Sequence, residues 1–129
     1  MKYDEFVARV RERGEYGDRQ EAERVTRLVL GVLAQRLNFD EAEDLAAQLP
    51  LPAGAWLTEQ AGPAVPFGVQ EFLARIATGT GATEQTAQWD ASAVLSTVAE
   101  AVTGGELNDV LSQLPSGYAV LFGRASMSG

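Results

Sequence analysis

Glu41-Ala-Glu-Asp44-Leu-Ala-Ala-Gln48-Leu49-Pro50 and Glu106-Leu-Asn-Asp109-Val-Leu-Ser-Gln113-Leu114-Pro115 are two versions of one phrase, sixty-five residues apart. Each opens on acids, which suit the exposed amides at the start of a helix, and each closes on a proline that a helix cannot run through. The phrase therefore reads as a short acidic-headed helix, used twice.

Working outward from it, the preceding segment carries Ala22, Val29, Leu30, Leu33 and Leu37 on one side of a helical wheel. Val25, Leu28 and Val32 widen that side, and only Arg24, Arg27, Gly31 and Gln35 form a polar stripe. This predicts a largely buried helix over 18–37, begun by Asp18 with Glu21 three residues on, the spacing of a capping box. Upstream, Tyr3, Phe6, Val7 and Val10 recur at helical spacing before Gly14 and Gly17, predicting a first helix over 3–13. Asn38 reads as the terminator of the 18–37 helix, and Asp40 with Glu43 repeats the capping-box arrangement at the head of the next helix. Pro50 and Pro52 stop that one. Residues 51–57 read as a further helical turn or an ordered loop.

The second half repeats the order. Glu71-Phe72-Leu73-Ala74-Arg75-Ile76 matches Glu5-Phe6-Val7-Ala8-Arg9-Val10 at four positions of six, and residues 22–57 match 87–122 at nine of thirty-six. Thr78-Gly-Thr-Gly81 makes the turn, Thr83 caps a long helix over 83–103, and Gly104-Gly105 is expected to end it. Tyr118 to Phe122 stands where Ala53 to Leu57 stood, with Leu121 answering Trp56. The expectation is an all-α fold, a single helical bundle built from two pseudo-repeated three-helix units with the long helices central. Residues 1–57 form the first repeat, 58–66 a linker rich in Pro and Gly, and 67–123 the second. Residues 124–129 form a flexible tail, and the whole is one compact domain.

These features resemble a bacterial family known as domain of unknown function 2267. The resemblance is carried by Glu71, Phe72, Arg75, Val94, Leu95, Gly105, Glu106, Asp109, Gln113, Leu114, Pro115, Leu121 and Phe122, with their counterparts in the first half, and covers about residues 2–123. It implies a small all-helical cytoplasmic protein and no particular activity.

Composition narrows function further. A formal net charge of −8, with 8 basic against 12 acidic residues in 1–65 and 2 against 6 in 66–129, disfavours nucleic acid and anionic membrane surfaces as partners. The clustered Arg9, Arg11, Arg13, Arg19, Arg24 and Arg27 are interleaved with acids, as on a solvated helix face. With neither His nor Cys in the sequence, the usual nucleophile-base pairs and soft-metal ligands are missing. No cofactor, metal or catalytic residue is expected. Thr78-Gly-Thr-Gly81 follows no strand and precedes no Lys, so it is not a phosphate loop. A cytoplasmic location is expected, since no apolar run suits a membrane span and the N-terminus lacks a signal-peptide segment.

Two groups of residues invite a functional reading. Glu41/Asp44 and Glu106/Asp109 could face each other to hold a cation or act as acid and base, but helix-start punctuation explains them more simply. Gln48 and Gln113 are expected to bond carbonyls near their own helix ends. Trp89 is less expected: it projects opposite the apolar face of its helix, beside Ser92 and Ser96 and in register with Arg24. Trp89, Ser92, Ser96 and Arg24 form the candidate interaction surface. A covering of Trp89 by the linker or the N-terminal segment is the plainer alternative. The sequence thus points to a non-enzymatic interaction or adaptor module with a protein partner or self-association. The alternative is a bundle that binds a small apolar ligand between its halves.

Overall fold

Asp18, Asn38, Thr83 and Thr103 each accept a side-chain hydrogen bond from the amide three residues on, and each starts a helix. The computed structural model describes residues 1–124, so most of the expected tail, 125–129, lies outside the described residues. Among the described residues there are eight helices and no strand. They are α1 (Tyr3–Gly14), α2 (Arg19–Arg36), α3 (Phe39–Gln48), α4 (Ala53–Gln60), α5 (Val69–Thr80), α6 (Glu84–Ala101), α7 (Gly104–Ser112) and α8 (Gly117–Leu121). None is long and apolar enough to cross a membrane.

The fold is all-α, with the two 18-residue helices α2 and α6 at its centre. α1 packs on both of them, and so does α5; α4 covers α2 and α3, α8 covers α6, and α3 meets α7. Because α1 and α5 each lean on the long helix of the other half, a single core results. Phe6, Leu30, Leu33, Phe72, Ile76 and Leu95 are fully enclosed in it. Fully burying side chains of this size contributes about 1.5–3 kcal/mol each. Tyr118 closes one end. Its ring meets Phe72 edge-on and its hydroxyl donates to the Phe67 and Gly68 carbonyls at 3.0 and 3.2 Å, where Arg36 Nε also reaches Phe67 at 2.8 Å.

Several local expectations need correction. Each half holds four helices rather than three, because 53–60 is helical. Pro52 stands at its N-cap, where an absent N–H costs nothing, and Gly54 lets α4 approach the Ala46 carbonyl of α3. The first three residues of the expected linker, 58–60, belong to that helix. Asn38 does not terminate α2; it caps α3, whose first turn therefore begins before Asp40. Gly104 and Gly105 do not end α6. That helix stops at Ala101, and extended Thr103 caps α7, making the two glycines its first residues. Trp56 is half-buried, edge-on to Tyr3 with ring centres 6.0 Å apart.

Candidate functional site

Trp89 stands on α6 with 50% of its surface exposed. Its indole Nε1 donates to the Gly14 carbonyl at the end of α1, at 2.9 Å. Farther along α6, Arg13 Nη1 donates to Ser96 Oγ at 3.3 Å and Thr97 Oγ1 at 3.1 Å, and the same guanidinium pairs with Glu100. Arg9 joins Glu100 to Glu5, at 3.2 and 3.0 Å. The polar face of α6 is therefore a seam with α1: Ser92 and Ser96 are half-buried along it, and Trp89 projects at its end. Arg24 is exposed on α2 and lines a separate cleft.

That cleft, about 390 Å³, lies between the halves and is flanked by Arg24, Leu28, Gly79, Thr86, Tyr16 and Asp90. Asp90 is only 5% exposed, and its Oδ1 accepts from the Tyr16 hydroxyl at 2.6 Å. Burial raises the Asp90 carboxyl above the ordinary aspartate value, a rise that the Tyr16 bond opposes and Glu21 reinforces. Burial, then Asp90, pushes the Tyr16 hydroxyl upward, so it remains a neutral donor. Sequence reading missed this pair. Its one legible signal is that Asp90 shares the apolar stripe of Ala87, Ala91 and Val94, where a carboxylate needs a partner.

The repeated acidic phrase is where the sequence misled most. Glu41 and Glu106 each occupy the third position of their helix, and their amides are satisfied by Asn38 and Thr103. Their side chains do not turn back to close a capping box. They face each other across the contact of α3 with α7, within hydrogen-bonding reach, at 9% and 8% exposure. The two glutamines cross the same seam instead of bonding their own helix ends: Gln113 Nε2 donates to Glu41 Oε2 at 3.1 Å, and Gln48 Oε1 accepts from the Thr103 amide at 2.8 Å. Glu41 Oε1 and Glu106 Oε2 are buried without a partner. Glu106 is pushed up to about 7, first by burial, then by Glu41, with Asp44 and Asp109 adding to it. Glu41 and Glu106 are thus first-turn acids turned into the seam, while Asp44 and Asp109 lie past the first turn and are exposed. Among the described residues, no three His, Cys, Asp or Glu side chains gather as a metal site.

A family model described as an uncharacterized conserved protein (DUF2267) matches residues 3–121. The chain belongs to the DUF2267 family. The match runs from the first residue of α1 to the last of α8, so the α1–α6 seam, the cleft and the α3–α7 seam all lie inside the DUF2267 region. No curated protein matches this DUF2267 chain.

Proposed function

We propose that this DUF2267 protein is a non-enzymatic interaction module whose docking point is Trp89, its partner being another protein or a second copy of the chain. One observation carries the reading: half of the indole is exposed while its only polar group is already bonded to Gly14. Such a ring offers apolar area with no unmet donor, and in a fixed orientation, so little freedom is lost on binding. Farther along the same seam, Arg9, Arg13 and Glu100 form a charged network. Sedimentation velocity and affinity capture test it. Trp89→Ala should abolish self-association, or retention of a partner, while the far-ultraviolet dichroism stays unchanged. A strict monomer that retains no specific partner would sink the reading.

A second reading, small-molecule carriage, is favoured by the cleft between the halves. Its charged and apolar flanks suit an amphipathic ligand rather than a purely apolar one. Native mass spectrometry of protein from fresh lysate should show an added mass that Leu28→Trp removes; an unliganded spectrum from both would count against it.

We also read the chain as a doubled unit working in the bacterial cytoplasm. In support, helices of 12, 18, 10 and 8 residues are followed by helices of 12, 18, 9 and 5. Arg9 reaching Glu100 also has a counterpart at the aligned positions, Arg75 reaching Gln35 at 2.8 Å.

A further inference from the structure

We infer that Glu41 and Glu106 form a proton-bound clasp between α3 and α7, closed while the two carboxyls share a proton and loosened when both ionise. The inference rests on how the seam is built and stands apart from the Trp89 reading.

Three observations converge on it. Each glutamate comes from a different half of the chain, so their contact joins α3 to α7 directly. Both are more than nine-tenths buried, where two unshielded carboxylates in contact repel strongly. Of their four oxygens, Glu41 Oε2 is taken by Gln113, while Glu41 Oε1 and Glu106 Oε2 are buried and unmatched. Two acceptors cannot bond to each other. One proton held between the carboxyls converts this orphaned pair into a donor and an acceptor, which relieves the desolvation penalty of the unmet groups.

The surroundings reinforce the proton and do not neutralise the pair. The charged groups acting on it are Asp44 from α3 and Asp109 from α7, both acidic. Asp40 and Glu43 of α3 are exposed, and the only ionisable side chain of α4, Glu59, is turned to Arg27 at 3.6 Å. Gln48 and Gln113 are neutral. The helix amides near each glutamate favour the ionised form, yet burial and acidic neighbours outweigh them, since Glu106 is raised from 4.5 to about 7.

The sign follows. A carboxyl held higher in the folded chain than in the unfolded one stabilises fully below about 4.5, and that contribution is lost as pH rises through about 7.

The test is thermal unfolding of the full chain between pH 5 and pH 8.5, wild type against Glu106→Gln. The amide keeps the shape of the side chain and donates to Glu41 at every pH. Wild type should lose more stability across the range than the variant does, leaving the variant the more stable at pH 8.5. Asp90 is present in both proteins, so its share cancels. Amides of α3 and α7 should also exchange about ten-fold faster in wild type than in the variant at pH 8.5, with α2 unchanged. Carbon-13 titration of the Glu106 carboxyl in the wild-type chain provides a readout that needs no variant, with a midpoint near 7 expected. A midpoint near the ordinary glutamate value, or a Glu106→Gln effect of equal size at both pH extremes, would overturn the clasp.

Discussion

Gly14 shows how much a single residue can hide. It is the last residue of α1, with ordinary helical backbone, and alanine there would gain helix propensity of about 1 kcal/mol. The Tyr16 ring, however, lies directly over its α-carbon, where a methyl group would collide with it. Tyr16 is anchored by its bond to Asp90, and the Gly14 carbonyl holds Trp89. Displacing the ring leaves a nearly buried carboxylate short of a donor, a cost of about 1–3 kcal/mol that outweighs the propensity gain. Gly14→Ala should therefore destabilise the chain in urea unfolding and change the fluorescence of Trp89; a stabilised variant would contradict the packing of Tyr16. The sequence marks Gly14 as punctuation, a role taken by position 15, since the left-handed residue is Glu15 with φ 55. Trp89 was legible because a large apolar residue broke a helical pattern. Gly14 was not, because the reason for it is a ring that only the folded chain brings close.

At the scale of elements, starts were easier to read than stops. Asp18 and Thr83 cap the two long helices as their side-chain chemistry indicates. The joint between α6 and α7 was misread because a glycine pair resembles a helix end, whereas neither Gly104 nor Gly105 adopts positive φ. Both have open space where a side chain would go. Gly105→Ala should accordingly stabilise the protein by about 0.4–1 kcal/mol, by narrowing the unfolded ensemble in a conformation alanine accepts. Thr103→Ala should cost about 1 kcal/mol through the lost cap. Chemical denaturation of the two variants checks both signs, and a destabilised Gly105→Ala would return that residue to the role of a helix stop. The acidic phrase failed differently. Thr103, just before it, and Glu106 have the spacing of a capping box, but Gln48 takes the Thr103 amide that such a box would assign to Glu106. Competition from fifty-five residues away leaves no trace in a local pattern.

Across the whole molecule, helical periodicity and the doubled phrase made the all-α bundle and its central long helices legible, because burial imposes that period on every element. What they could not supply was which helix covers which. α1 buries Phe6, Val7 and Val10 at 1% exposure or less, lying on α6 as well as on its own neighbour α2. In return α5 lies on α2 as well as on α6. Arg9 to Glu100 and Arg75 to Gln35 tie the same crossings at the surface. Neither half can close its apolar face alone, and a chain of about 60 residues has little margin to tolerate that. Residues 1–61 and 62–124 expressed separately should each show weak helicity and no cooperative melting. Mixing them should restore both, with a midpoint that rises with concentration because folding has become association. Circular dichroism on the fragments and their mixture measures this directly. If either fragment melts cooperatively by itself, the halves are independent domains, and the crossings of α1 with α6 and of α5 with α2 are secondary to the fold.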